Sequence, residues 1–240
     1  VPSFVGLARL EITPRNDFRL SRLLSTTDVR HSFQLRSLPG RPLVANDAGQ
    51  VAFIGSLDGL TTALLLYDNG RFTLLAAGGA PGPTSGSVVQ DFSGLAINNR
   101  GQVLARITAR ANSGVLLASR EGSTYLAVDG EAAAGVEGLG GFNLTPYSLN
   151  DNGDAVLFGS FRLQSSTQNR NGLFRLAAGG VPQRLVTSGD EFPGLGAANV
   201  SSSEFGIDRD GVVYFVAASG PTRALYRQER FLAPTRLIGA

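Results

Sequence analysis

The sequence predicts an all-β fold, a β-propeller-like array of about four blades that are each a four-stranded antiparallel sheet. A turn phrase recurs at a nearly constant spacing, short apolar runs alternate with Gly, Asn and Asp turns, and helical periodicity is nearly absent. A period of about 50 residues is typical of a propeller blade and longer than most helical repeats. The array is expected either to close through its N-terminal segment or to continue in a longer chain.

Each repeat contains the same turn, in which an Asn or Asp is followed three residues later by Gly. The four turns start at residues 46, 98, 150 and 208, so they are 52, 52 and 58 residues apart. The side-chain oxygen of the first residue accepts backbone N–H groups ahead of it, and Gly takes a positive φ that other residues resist. The predicted structural turn residues are Asn46, Gly49, Asn98, Gly101, Asn150, Gly153, Asp208 and Gly211.

Strand-like runs follow each turn. Alternating apolar residues such as Val51 and Phe53 mark a strand with one face in the core. Asp68-Asn69-Gly70 is the strongest hairpin signal in the chain. The fourth repeat supplies about three strands between residues 209 and 240. We expect residues 31–45 to provide the missing strand, so that the two ends of the chain together complete a fourth blade.

The N-terminal segment, residues 1–36, is predicted to be an extra strand or docking arm that precedes a repeat domain at residues 37–240. Residues 1–45 carry seven Arg and three acids, a charge of 7 − 3 = +4, whereas residues 46–240 carry 14 Arg and 16 acids, a charge of 14 − 16 = −2. Clustered positive charge attracts anionic surfaces and acidic partners. The predicted partner contacts are Arg9, Arg15, Arg19, Arg22 and Arg30.

Composition excludes several kinds of site. The chain has no Cys and a single histidine, His31, which excludes disulfides, thiolate sites and multi-histidine metal sites within the chain. No apolar run approaches the roughly 18 residues that cross a bilayer. The formal charge of +2 is too small to indicate a nucleic-acid partner. We predict no cofactor and no bound metal.

Two groups of oxygen-bearing side chains have a functional alternative. Residues 150–154 offer the oxygen ligands that Ca²⁺ prefers, but the same turn recurs with Ala48 and Arg100 at ligand positions, which favours a structural turn. The acids of two Gly-rich corners could act as paired carboxylates in acid–base catalysis, although solvated loop acids are the preferred interpretation. These acids are Asp129, Glu131, Asp190 and Glu191.

The phrase Asn-x-x-Gly-x-Val-x-Phe with a Gly-Asp-x-x-Pro-Gly corner resembles the tandem-repeat proteins of bacterial secretomes that are named for their Asn-x-x-Gly…Phe motif. It is also similar to HAF-type extracellular repeats. The resemblance covers residues 40–240 and is best at 46–53, 150–158 and 189–194; Ala105 and Asp208 depart from it. It implies an exported or surface-attached protein of propeller-like fold with no assigned enzymatic activity.

These observations together predict a non-catalytic scaffold that is secreted, or attached to the bacterial cell envelope with the periplasm as an alternative location. It would bind a protein partner or an anionic surface through its blade loops and its N-terminal arginines, and no catalytic residue is assigned. One alternative is a carboxylate-based hydrolase or lyase on an extracellular polymer, with Glu131, Asp190 and Glu191 as candidates. Another is an accessory subunit of a membrane or electron-transfer assembly, docked through residues 1–36.

Overall fold

The computed structural model describes residues 6–12, 18–25, 35–37, 43–57, 60–131, 137–142, 148–162, 168–229 and 232–239. All helical or strand structure in these ranges is β-strand, so the all-β prediction is confirmed. No helix in the described ranges is long and apolar enough to cross a membrane.

The first two strands form an antiparallel hairpin of their own. They are β1 (Gly6–Ile12) and β2 (Phe18–Ser25). In the backbone register Arg9 lies opposite Ser21, and Glu11 lies opposite Arg19. The hairpin therefore carries part of the arginine-rich segment, and its role as a docking arm stays a prediction.

The first two large sheets are antiparallel, with their strands in chain order. In the first sheet, two short strands share the opening position and both pair with the next strand. The first sheet contains β3 (Leu35–Ser37), β4 (Leu43–Ala45), β5 (Val51–Leu57), β6 (Leu60–Asp68) and β7 (Arg71–Ala77). The second contains β8 (Val89–Ile97), β9 (Val103–Ala109), β10 (Gly114–Ser119) and β11 (Gly122–Val128).

The third and fourth sheets repeat this pattern, which confirms the predicted series of four-stranded antiparallel sheets. The third contains β12 (Glu137–Phe142), β13 (Ser148–Leu149), β14 (Ala155–Arg162), β15 (Asn169–Leu176) and β16 (Gln183–Thr187). A small hairpin in the following corner contains β17 (Glu191–Phe192) and β18 (Gly196–Ala197). The fourth sheet contains β19 (Asn199–Ile207), β20 (Val213–Ser219), β21 (Thr222–Gln228) and β22 (Thr235–Gly239).

The fourth sheet has all four of its strands without the N-terminal segment. Its first strand is β19, whereas β3 and β4 pair with β5 of the first sheet. The expectation that residues 31–45 complete a fourth blade with residues 209–240 is therefore wrong. The repeat was counted from the turn, but the structural unit begins with the strand before it. In the fourth unit that strand contains a run of three serines and a register irregularity between Val200 and Phe205, which weakened its strand signal.

The hydrophobic core lies between consecutive sheets. Val103, Ala105 and Ile107 of β9 join a cluster with the first sheet, and Leu104 joins a cluster with the third sheet. Because neighbouring strand residues face opposite sides, β9 is apolar on both faces. A third cluster joins the third and fourth sheets around Phe215. Sheets that pack face to face in this way have the arrangement of propeller blades.

Candidate functional site

Two edges of the sheets carry the polar side chains. The turn edge is formed by residues 46–50, 98–102, 150–154 and 208–212, together with the hairpins that join the third and fourth strands of each sheet. The corner edge is formed by the Gly-rich corners that lead to the next sheet, at residues 78–88, 129–131 and 188–198. Because successive strands are antiparallel, these edges lie at opposite ends of the strands.

The four turns are joined by a ladder of side-chain hydrogen bonds at the turn edge. Asn46 Nδ2 donates to the carbonyl of Asn98 at 2.7 Å, and Asn98 Nδ2 donates to the carbonyl of Asn150 at 2.8 Å. Asn150 Nδ2 donates in turn to the carbonyl of Asp208 at 3.1 Å. The opening residue therefore connects neighbouring sheets as well as shaping its own turn.

Asn98 uses both ends of its amide. Its Oδ1 accepts the backbone N–H groups of Arg100 at 3.1 Å and Gln102 at 3.0 Å. Its Nδ2 also donates to Gln102 Oε1 at 2.7 Å. The residue is 3% exposed, so these bonds replace water entirely.

The fourth turn begins with Asp208, where the other three turns begin with Asn, and the contacts of Asp208 explain this difference. Its Oδ1 accepts the backbone N–H groups of Asp210 at 3.0 Å and Val212 at 2.8 Å, as in the other turns. Its Oδ2 accepts the Tyr214 hydroxyl at 3.3 Å. Asp208 is the last rung in the described residues, where a carboxylate serves because no further turn requires a donor.

The oxygens of residues 150–154 are engaged in protein contacts. Asn150 Oδ1 accepts the backbone N–H groups of Asn152 and Asp154, each at 3.0 Å, and Asp151 Oδ1 accepts that of Asn99 at 2.8 Å. Asp154 forms an ion pair with Arg175. Across the described ranges no three acids or histidines gather as a metal site. The oxygens considered as calcium ligands therefore contact their own turn, the second turn and Arg175.

Arg175 fills the space between the third and fourth sheets at the turn edge. Its NH1 donates to the carbonyl of Gly211 at 3.2 Å, and the residue is 8% exposed. In the first and second sheets, Leu66 and Leu117 have the equivalent register opposite the strand that leaves the turn. Because leucine is shorter than arginine, space is left between the sheets at those two positions.

A polar cleft of about 470 Å³ occupies this space between the first and second sheets. We call it the turn-edge cleft; the polar side chains that line it are Gln50, Arg100, Gln102, Ser119, Arg120 and Glu121. An adjoining cleft of about 280 Å³ extends toward the third sheet, and Gln102, Ser119 and Glu121 line both. The two clefts therefore adjoin along the turn edge, and we call them together the groove.

Asp68 is anchored beside the turn-edge cleft. Its Oδ2 accepts a hydrogen bond from Arg120 NH2 at 2.6 Å and from Gln50 Nε2 at 3.2 Å. Asn46 Nδ2 donates to Gln50 Oε1 at 2.7 Å, which orients the Gln50 amide with its NH2 group toward Asp68. The turn ladder thus positions a carboxylate against two residues, Gln50 and Arg120, that line the cleft.

Glu121 supplies a second carboxylate, on the hairpin that also carries Arg120. Its side chain is exposed and has no hydrogen-bond or ion-pair partner in the part of the chain that the structure describes. Sequence reasoning interpreted Asp68 only as a hairpin residue and did not single out Glu121. The signal was present, because Asp68 and Arg120 are 52 residues apart, which is the spacing of the first two turn repeats.

The predicted corner acids have different surroundings. Asp190 Oδ2 accepts the backbone N–H of Thr187 at 2.8 Å, and its Oδ1 accepts the Thr187 hydroxyl at 2.6 Å. Both oxygens therefore close the corner turn. Glu131 and Glu191 are exposed.

Asp129 is the corner acid whose environment is most altered. Its Oδ2 lies 3.2 Å from Arg106 NH2, and its buried Oδ1 has no hydrogen-bond partner within the described ranges. Burial raises the pKa of Asp129 above its ordinary value, and the charge of Arg106 opposes that rise. The side chains are 22% and 14% exposed respectively, so this ion pair is shielded from solvent.

Of the predicted partner contacts, Arg9, Arg19 and Arg22 lie on the N-terminal hairpin. Arg15 and Arg30 lie outside the described residues, as does His31. Binding of a partner or an anionic surface by these arginines stays a prediction.

The fold and its polar groove define an all-β, propeller-like repeat protein with a candidate ligand site at the turn edge. The chain belongs to a family of unknown function, DUF7453, whose model matches residues 104–224, about half of the sequence. No curated protein matches the sequence significantly. The resemblance to secreted tandem-repeat proteins and the extracellular location both stay predictions.

Solved structures similar to the chain include two enzymes. An alpha-L-arabinanase from Penicillium chrysogenum, in complex with arabinobiose, is 15% identical over 96% of this chain and 80% of that chain, with a TM-score of 0.38. An endo-arabinase from Bacteroides thetaiotaomicron VPI-5482 is 12% identical over 97% of this chain and 93% of that chain, with a TM-score of 0.31. TM-scores this low transfer neither a site nor a substrate.

The prediction of a non-catalytic scaffold is corrected by this comparison, because both neighbours are named as enzymes.

Proposed function

We propose that this chain is a carboxylate-based hydrolase of an extracellular glycan and that the turn-edge cleft is its active site. The observation that carries the proposal is a carboxylate on the wall of this polar cleft, Glu121, with a second carboxylate, Asp68, bonded to two residues that line it. Asp68 is anchored by Arg120 and Gln50, whereas Glu121 is free on the cleft wall. A concave polar site that holds titratable groups is where chemistry is expected in a folded protein.

The composition of the chain narrows the reaction class. Hydrolysis of peptides and esters commonly uses a Ser–His or Cys–His pair or an activated lysine. This chain has no Cys, no Lys and one histidine. Glycosidic bonds can be cleaved with two carboxylates alone, one as acid and the other as base or nucleophile. We therefore propose a glycan as the polymer, because its cleavage requires no Cys, no Lys and no histidine.

The shape of the site supports an extended substrate. The turn-edge cleft and its smaller neighbour share Gln102, Ser119 and Glu121, so Glu121 lies where the two clefts meet. A polymer in the groove would pass this carboxylate with sugar units on both sides of it. We assign Glu121 as the acid–base group and Asp68 as the second carboxylate, held in place by Arg120 and Gln50.

The test is release of reducing ends from a panel of neutral and acidic polysaccharides by the purified chain. Glu121→Gln and Asp68→Asn are each expected to lower the rate by roughly 10²- to 10⁴-fold, the usual contribution of an acid–base group. Glu191→Gln is the matched control, because it neutralises an exposed glutamate at the opposite edge. The proposal fails if the wild-type chain cleaves none of these polymers, or if Glu121→Gln retains the wild-type rate.

A further inference from the structure

We infer that the turn-edge cleft selects an acidic saccharide, a sugar residue whose carboxylate or sulfate group binds Arg100 and Arg120 while a neighbouring hydroxyl donates to Glu121. The inference deepens the proposed function and rests on it for the assignment of the site. The cleft volume of about 470 Å³ falls within the range of about 300–1,000 Å³ that is usual for ligand sites.

Most unused polar groups of the cleft are hydrogen-bond donors. The Arg100 guanidinium is exposed and has no partner among the described residues. Gln102 Oε1 accepts the Asn98 amide at 2.7 Å, which leaves the Gln102 NH2 group free to donate. Arg120 uses NH2 on Asp68 and keeps its other N–H groups. A ligand that complements this wall must supply acceptors, and an anionic group supplies the strongest ones.

The charges indicate an anion that also carries hydroxyl groups. Arg120 is paired with Asp68 through NH2 alone and offers its other N–H groups to a ligand, and Arg100 and Glu121 are the charged side chains of the cleft that have no partner among the described residues. A guanidinium group can bind a carboxylate or sulfate through two parallel N–H bonds. Glu121 would repel a ligand of uniformly dense negative charge, but it can accept a hydroxyl hydrogen bond. A sugar acid or a sugar sulfate has both features in one residue.

The space between the third and fourth sheets supports this assignment by contrast. There the guanidinium of Arg175 is buried and donates hydrogen bonds to Asp154 and to the carbonyl of Gly211. Between the first two sheets Leu66 occupies that register, and the available guanidinium comes from the turn itself, at Arg100. Of the two guanidinium groups of Arg175 and Arg100, only that of Arg100 is open to a ligand.

The inference is tested by affinity electrophoresis at physiological salt in gels containing polygalacturonate, dextran sulfate, neutral dextran or neutral arabinan. Polygalacturonate or dextran sulfate is expected to retard the wild-type chain, and the first two gels distinguish a carboxylate from a sulfate ligand. Arg100→Gln is expected to weaken that binding by roughly tenfold, the loss of one charge-assisted contact. Arg209→Gln, which removes an exposed arginine from the fourth turn outside the cleft, should bind like the wild type.

Each result separates this inference from the proposed function. Equal retardation by the neutral polymers, or an equal loss in Arg209→Gln, would overturn the inference, because binding would then lack selectivity or depend only on net charge. Binding of an acidic polymer that is never cleaved would support the inference and contradict the hydrolase. Cleavage restricted to neutral polymers would support the hydrolase and contradict the inference.

Discussion

Asp68 and Arg120 form an ion pair between hairpins of neighbouring sheets, with 2.6 Å between Asp68 Oδ2 and Arg120 NH2. Their separation in sequence is 52 residues, equal to the spacing of the first two turns. The pair therefore joins two positions that the repeat makes equivalent but that carry opposite charges. Because Gln50 also binds Asp68, the ion pair belongs to the same network as the turn ladder.

Breaking this ion pair is expected to affect the cleft more than the fold. Arg120 is 47% exposed, so Arg120→Gln should lower the free energy of unfolding by no more than about 1 kcal/mol. The same variant should weaken polygalacturonate binding as much as Arg100→Gln does. Urea denaturation and affinity electrophoresis measure the two effects. A large loss of stability with unchanged binding would show that the pair is structural.

Loss of the Asn98 side chain is expected to lower the free energy of unfolding far more than loss of the Asp68–Arg120 ion pair. Asn98→Ala leaves the carbonyl of Asn150 and the backbone N–H of Gln102 without their buried partner. Unsatisfied buried groups cost about 1–3 kcal/mol each, so a loss of roughly 3 kcal/mol is expected in urea denaturation. The control is Asp208→Asn, which retains the turn acceptor at the last rung and should change stability by less than about 0.5 kcal/mol. Wild-type stability in Asn98→Ala would contradict the ladder.

The repeat made much of the fold predictable. The strand expected at Val51 and Phe53 is β5, and the hairpin expected at Asp68-Asn69-Gly70 joins β6 to β7. β19 was missed because its serine run lacks the alternating apolar pattern of a strand. The link between Asp68 and Arg120 could have been deduced from the repeat spacing. The capping of Thr187 by Asp190 could not, because it depends on a side-chain rotamer that sequence spacing does not fix.

Two turn glycines allow backbone strain to be separated from close packing. Gly49 has a φ of +77° and no atom within 4 Å of a Cβ built on it, whereas Gly211 has a φ of +84° and such a Cβ would lie 2.8 Å from Arg175 NH2. Gly49→Ala should therefore cost only the left-handed backbone conformation, about 1–2 kcal/mol. Gly211→Ala should cost about 1–3 kcal/mol more, because Arg175 must leave its buried position. Equal losses in thermal or urea unfolding would show that Arg175 adapts freely.

The last prediction concerns the dependence of stability on pH. Burial raises the pKa of Asp129 in the folded chain, with Arg106 opposing that rise. The folded protein then holds this proton more tightly than the unfolded chain does. The stability due to Asp129 is therefore complete below the unfolded pKa and is lost as pH rises through the folded pKa.

In urea titrations, the unfolding free energy of the wild type minus that of Asp129→Asn should fall as pH rises through this window and then level off. Arg106→Gln should extend the fall to higher pH, because it removes the charge that lowers the pKa of Asp129. Asp47→Asn, a substitution at an exposed aspartate, controls for the loss of one negative charge. If the difference for Asp129→Asn instead rises with pH, attraction to Arg106 outweighs burial, and the carboxylate is held ionised in the folded chain.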